Sequence, residues 1–282
     1  MRHEDGFFDG PQGARIYRRC WLPDPPSRAV LLLVHGLAEH SGRYATLVNA
    51  AVARGFAVHA LDLVGHGKSS GPRTFVRRFS EYVDAWTLNI DRVREIHPGI
   101  PQFLVGHSMG ALVAAHTLLE HQRAFSGAVL TGPLVRVPPN VSSLSVQLSR
   151  LLSALAPRLR LVGVDANGVS RDPAVVAAYR DDPLVFDGRT TVRLGREILG
   201  AIRRLEGEAS RIALPLLILQ GGDDRLVDPH GARWLFEAVG SADKRLEIYD
   251  GLHHEIHHEP EHKRVIGDVL DWIDRRLPTG AV

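Results

Sequence analysis

Several things are scarce in this chain, and each scarcity removes a class of protein. There is one cysteine, Cys20, in 282 residues. An internal disulfide is therefore excluded, and a reducing compartment or indifference to redox is expected. Only Lys68, Lys244 and Lys263 are lysines among 34 basic residues. The arginines that make up the rest are scattered rather than clustered, and the net charge is only +2. A nucleic-acid partner is not expected from that distribution. No uninterrupted apolar run reaches the roughly 18 residues that a membrane-spanning helix needs. The polar start, Met1-Arg2-His3-Glu4-Asp5, is unlike a signal peptide. The expected location is therefore the cytoplasm. Repeats and low-complexity tracts are absent as well. A hydrophobic content of 44% is ordinary for a globular protein, and the length allows one large α/β domain or two small ones.

The first half of the chain alternates strand and helix patterns. Val30 to Val34 is continuously apolar, as in a strand buried on both faces. A helical pattern over Tyr44 to Ala53 follows, then a strand over Phe56 to Leu61 and an amphipathic helix over Glu81 to Ile96. Further strands are predicted at Gln102 to Val105 and Gly127 to Leu130, separated by a helix from Ala111 to Gln122. This order implies a mostly parallel sheet with right-handed crossovers and flanking helices. The pattern breaks at Gly132-Pro133, and no strand-like run appears before about Ala209. Leu144, Leu148, Leu151, Leu152, Leu155 and Leu159 recur there at helical spacing, and Thr191 to Glu208 reads as a second helix. Strand rhythm returns at Leu216 to Leu219 and Arg245 to Tyr249, with helices at His230 to Val239 and Glu261 to Arg276. Residues 1–133 and 210–282 are thus expected to form the core, and 134–209 an all-helical cap.

Directly after the strand Gln102 to Val105 stands Gly106-His107-Ser108-Met109-Gly110, and a helix follows it. Strand, G-x-S-x-G, helix is the nucleophile elbow of the α/β-hydrolase fold. Glycines flank the serine because strand and helix must pack closely around a sharp turn. The helix N-terminus directs its N–H groups toward the place where negative charge develops. A serine hydroxyl is a poor nucleophile and needs a general base, itself oriented by an acid. In this fold the chain order is Ser, Asp or Glu, His. Asp223 and Asp224 follow the strand at Leu216, and His253 and His254 follow the strand at Arg245. Ligand sites of open α/β sheets lie beyond such strand ends. Two backbone N–H groups should form an oxyanion hole: Met109, after the nucleophile, and Leu37, freed by the turn at Gly36.

The segments His35-Gly-Leu-Ala-Glu-His-Ser-Gly-Arg-Tyr44, Asp62-Leu-Val-Gly-His-Gly-Lys-Ser69 and Gly106-His-Ser-Met-Gly110 closely resemble monoacylglycerol lipases. So do Ser170-Arg-Asp-Pro173, Tyr179-Arg-Asp-Asp-Pro-Leu184 and the loops of Asp224 and His254. The likeness runs from about Gly13 to Leu277. It implies an α/β-hydrolase fold with a helical cap inserted after the sixth strand. It also implies Ser108 as nucleophile, Asp224 rather than Asp223 or Asp228 as acid, and His254 rather than His253 as base. Glu39, Arg43, His107, Tyr179 and His257 would surround the glycerol end of the substrate. The family usually carries a second glycine where this chain has Ala111.

Two competing motifs fail on their surroundings. His254-Glu255-Ile256-His257-His258 matches the H-E-x-x-H zinc signature, but it follows a strand and a glycine, and Pro260 cuts it short. Gly67-Lys68-Ser69 resembles the end of a phosphate loop, but Asp62 stands where that motif needs glycine. The expected protein is therefore an ester hydrolase that needs no metal or cofactor. Its substrate would be a small lipid ester, held in an apolar tunnel under the cap, with transient membrane-surface contact through that cap. A broader carboxylesterase or lysophospholipase uses the same machinery, and a catalytically silent binding protein is the reading from another class. A neutral histidine base implies that kcat/KM rises with pH through an apparent pKa of about 6 to 7.

Overall fold

The computed structural model describes residues 1–24, 26–136 and 152–278. Among them, strands β1 (Arg2–Asp9), β2 (Arg15–Leu22), β3 (Ala29–Val34), β4 (Phe56–Leu61), β5 (Gln102–His107) and β6 (Gly127–Thr131) precede the insertion. Strands β9 (Leu216–Gly221) and β10 (Lys244–Tyr249) follow it. They form one eight-stranded sheet in the order β1-β2-β4-β3-β5-β6-β9-β10. From β4 to β10 every pairing is parallel. The β1–β2 hairpin adds to β4 in antiparallel sense.

Side chains alternate across a strand, and β3 shows what that does here. Val30, Leu32 and Val34 enter one core, with helices α2 (Ser80–Ile96) and α3 (Met109–His121) packed over it. Leu31 and Leu33 enter the opposite core, covered by α1 (Ala45–Ala53) and the last helix (His262–Asp274). Both faces are therefore dry, which is why the central strands read as unbroken apolar runs.

The insertion departs from the expected all-helical cap. It contains two short strands, β7 (Arg160–Val162) and β8 (Thr190–Thr191), paired antiparallel. Pieces this short carry no readable period, and their partners lie far apart in the chain. Helices α4 (Pro173–Asp181) and α5 (Val192–Glu208) are present. Helix α5 does not stand apart as a lid. Its Leu194, Ile198, Ala201, Ile202 and Leu205 join the α2–α3 core, and the Ala201 carbonyl lies 3.0 Å from His116 Nε2. Of the leucine stripe, Leu144, Leu148 and Leu151 lie outside the described residues. Leu155 is 76% exposed and Leu159 43%. No helix of the described residues is long and apolar enough to cross a membrane.

Candidate active site

Strand β5 delivers Ser108 into a conformation that ordinary residues avoid, φ 55° and ψ −121°. Its neighbours hold it there. The Ser108 N–H donates to the Thr131 carbonyl at 2.9 Å, and its own carbonyl accepts from Ala111 at 3.0 Å. The flanking glycines are required by space. A Cβ on Gly110 would stand 2.2 Å from the Val34 carbonyl oxygen, and one on Gly106 2.7 Å from that of Gly110. Ala111, where the family usually has glycine, is fully buried and is accommodated in this packing.

The acid and the histidine come from the ends of β9 and β10. Asp224 Oδ1 accepts the N–H groups of Leu226 and Val227 at 2.8 and 3.0 Å. Its Oδ2 accepts from the Gln220 amide at 2.8 Å and lies 2.7 Å from His254 Nδ1. A carboxylate can only accept, so the ring proton sits on Nδ1 and Nε2 keeps its lone pair. Burial pushes the Asp224 carboxyl up, but the His254 charge and hydrogen bond and the two turn N–H groups bring it below the usual carboxylate range. Burial likewise disfavours the His254 cation, yet Asp224, Glu255 and Glu39 together more than offset this, and the net displacement of His254 is upward.

Leu37 borders the same space, and Met109 opens helix α3 directly after Ser108. The Gly36 N–H donates to Glu39 Oε1 at 2.6 Å, and Ala38 adopts a positive φ of 67°. Among the described residues, no group accepts from the N–H of Leu37 or of Met109. Both are available to a developing oxyanion.

A cavity of about 200 Å³ joins these parts. Ser108, His254, Leu37, Glu39, His107 and Tyr179 line it, with Leu134, Val169, Leu226 and Val227 as apolar wall. Arg43 and His257, expected at the glycerol end, do not line it. Arg43 lies 4.7 Å from the Tyr179 ring and pairs with Glu39 and Glu255. His257 stacks on Tyr44 at 4.8 Å and is buried. His107 Nδ1 lies 3.0 Å from Thr131 Oγ1, and burial lowers its pKa to about 4, so it is neutral. A larger polar groove of about 460 Å³, lined by Asp91, Arg94 and Glu120, lies on the α2–α3 surface, away from this chemistry.

Sequence reasoning missed Glu255, which lines the cavity, and Gln220, which braces Asp224. The H-E-x-x-H run is not helical; it passes through turns, with His254 on Asp224 and Glu255 on Arg43. The insertion also grips the site loops. The Phe186 N–H donates to the Ala38 carbonyl at 2.7 Å, and the Glu255 N–H to that of Val169 at 2.8 Å. His40 Nε2 lies 2.9 Å from Asp182.

A largely parallel sheet of this order, with a strained serine on the strand–helix elbow and acid and histidine at later strand ends, defines an α/β-hydrolase of the serine hydrolase class. Comparison with known proteins agrees. The family described as serine aminopeptidase, S33, matches residues 25–261. The chain is 39% identical to a monoacylglycerol lipase of Mycolicibacterium smegmatis, over 96% of each protein. It is 36% identical to a human monoglyceride lipase, over 95% of this chain and 89% of that one. The crystal structure of a Paleococcus ferrophilus monoacylglycerol lipase superposes with a TM-score of 0.84 at 33% identity, covering 93% of this chain and 99% of that one. The chain belongs to the monoacylglycerol lipase family of α/β-hydrolases.

Proposed function

We propose that this chain hydrolyses monoacylglycerols to glycerol and a free fatty acid through an acyl-enzyme on Ser108. The observation that carries the reading is His254, fixed by Asp224 at 2.7 Å, on the wall of the same cavity as the elbow serine. In the first half-reaction His254 Nε2 takes the Ser108 proton as Oγ attacks the ester carbonyl. The Leu37 and Met109 N–H groups hold the oxyanion. His254 then protonates the departing glycerol oxygen, and the C–O bond breaks. In the second half-reaction His254 removes a proton from water, which attacks the acyl-enzyme, and the proton returns to Ser108 Oγ as the acid leaves. The chain's own groups carry every step. Glu39, His107 and Tyr179 give the polar end of the cavity, and Leu134, Val169, Leu226 and Val227 the wall for the acyl chain.

The insertion 134–209 acts as the cap in this reading, with Gly163, Val164, Val169 and Tyr179 among the described residues that close over the cavity. Exposed Leu155, Leu159 and Leu161 there, beside Arg158 and Arg160, support transient contact with a lipid surface. The test is one substrate panel: monoacylglycerols, diacylglycerols, lysophospholipids and p-nitrophenyl esters of increasing chain length. Each buried methylene contributes about 0.8 kcal/mol. Medium-chain monoacylglycerols should therefore exceed acetate esters in kcat/KM by more than about tenfold. With substrate supplied in vesicles, Leu155→Asp should slow turnover, and with dispersed substrate it should not. Equal rates on acetate and decanoate esters would contradict the acyl-chain reading. Preference for lysophospholipids would replace the substrate.

A further inference from the structure

Arg43 is a charged side chain that the reaction above does not use, and its surroundings are unusual. Its guanidinium is buried between two buried carboxylates: side-chain exposure is 8% for Arg43, 3% for Glu39 and 4% for Glu255. Nη1 donates to Glu39 Oε2 at 2.8 Å and to Glu255 Oε1 at 2.5 Å, and Nη2 donates to Glu255 Oε2 at 2.7 Å. The Glu255 end is thus a bidentate fork. Each carboxylate is joined in turn to one half of the catalytic apparatus. Glu39 Oε1 accepts the Gly36 N–H, one residue before the oxyanion donor Leu37, and also the Tyr44 hydroxyl at 2.7 Å. Glu255 directly follows the base His254. His258 closes the ring, with Nδ1 2.8 Å from Glu255 Oε2 and Nε2 2.8 Å from the Arg43 carbonyl.

We propose that Arg43, with Glu255, is a positioning pair that locks the oxyanion loop to the histidine loop, and that Arg43 is not a contact for the glycerol headgroup. Glu39 and Glu255 line the cavity and Arg43 does not. The guanidinium packs over the Tyr179 ring, 4.7 Å from its centroid. The oxyanion donors must sit within a few tenths of an ångström of the carbonyl oxygen while Nε2 meets the serine proton. Two loops more than two hundred residues apart in sequence hold that relation only if something rigid joins them. A planar fork that fixes direction as well as distance does so, and a lysine in its place would not.

This rests on the proposed roles of Ser108, His254 and Leu37, and the experiment separates the two. Arg43→Lys and Glu255→Gln are assayed on monodecanoylglycerol and on p-nitrophenyl decanoate, which share the acyl group but not the glycerol. Circular dichroism and a thermal melt establish that each variant is folded. Misplacement on the ångström scale costs up to about 100-fold. The expected result is a loss of about 10- to 100-fold in kcat on both esters, with KM changed little.

A second readout belongs to Glu255 alone. Asp224, Glu255, Glu39 and neutral His107 face His254, and Glu255 is one of the carboxylates that favour its charged form. Glu255→Gln should therefore move the acid limb of kcat/KM to lower pH, which a packing defect would not do. If Arg43→Lys fails to fold, Glu255→Gln decides. A loss confined to the glycerol ester and expressed in KM would make Arg43 a headgroup contact and overturn the proposal. Unchanged kcat and an unmoved limb in folded Glu255→Gln would overturn it as well. An active Ser108→Ala enzyme would instead remove the underlying reading of the site.

Discussion

At the residue scale the proposed chemistry turns on the protonation of His254. Only the neutral ring can take the Ser108 proton. Burial works against its cation, but Asp224, with Glu255 and Glu39, outweighs burial and leaves the pKa above the ordinary 6.5. Raising the pH through that value empties the inactive, protonated form. kcat/KM should climb with pH about a midpoint above 6.5, the upper side of the range expected from sequence. Asp224, held below the usual carboxylate range, stays ionised throughout and adds no second limb near neutrality. A pH–rate profile checks this, and a midpoint well below 6.5 would contradict it.

Legibility at this scale followed distance along the chain. Ser108 was readable because its whole signal lies within five residues and the flanking strand and helix. Asp223 and Asp224 share one turn, and the residues alone could not separate them. What distinguishes them is spatial: Asp224 meets the histidine ring, whereas the Asp223 N–H donates to the Leu252 carbonyl. The Arg43–Glu255 pair spans 212 positions, and no local pattern announces it.

At the scale of elements, the elbow works because α3 approaches both β3 and β5 more closely than any side chain permits. Gly110→Ala would force its methyl against the backbone oxygens of Val34 and His35, which have no freedom to withdraw. Overpacking typically costs about 1–3 kcal/mol, and a rigid backbone wall puts this case at or beyond the upper end. Gly200→Ala is the control. It lies exposed in α5 with nothing within 4 Å of the new Cβ. It should stabilise by about 0.4–1 kcal/mol. Denaturant titration of both variants reads the contrast, and equal effects would mean that the elbow is looser than described.

The central strands were legible for the same reason that they are stable: dry on both faces, they consist of apolar residues without a break. The β1–β2 hairpin was not. Strand β1 lies at the sheet edge with most of its residues exposed, and Phe7 and Phe8 are its only apolar side chains. Burial imposes no pattern on such a strand. The β7–β8 ladder is too brief to leave a readable pattern, and the apolar stripe of α5 does not say which surface it covers: here it covers the α2–α3 core.

At the scale of the molecule, the sheet brings the ends of β3, β5, β9 and β10 to one edge, and the insertion ties the loops there to one another. Backbone bonds from Phe186 to Ala38 and from Glu255 to Val169 join it to the oxyanion loop and the histidine loop. In the proposed mechanism, substrate enclosure and alignment of the catalytic groups therefore depend on the same contacts. The central claim is that Ser108 carries the acyl group of a monoacylglycerol. The most direct measurement is fatty-acid release from a medium-chain monoacylglycerol by purified wild type and Ser108→Ala. Wild type should turn over, and the folded variant should lose on the order of 10⁶ in kcat. Release by Ser108→Ala at a rate near that of wild type, or none by wild type, would contradict the account.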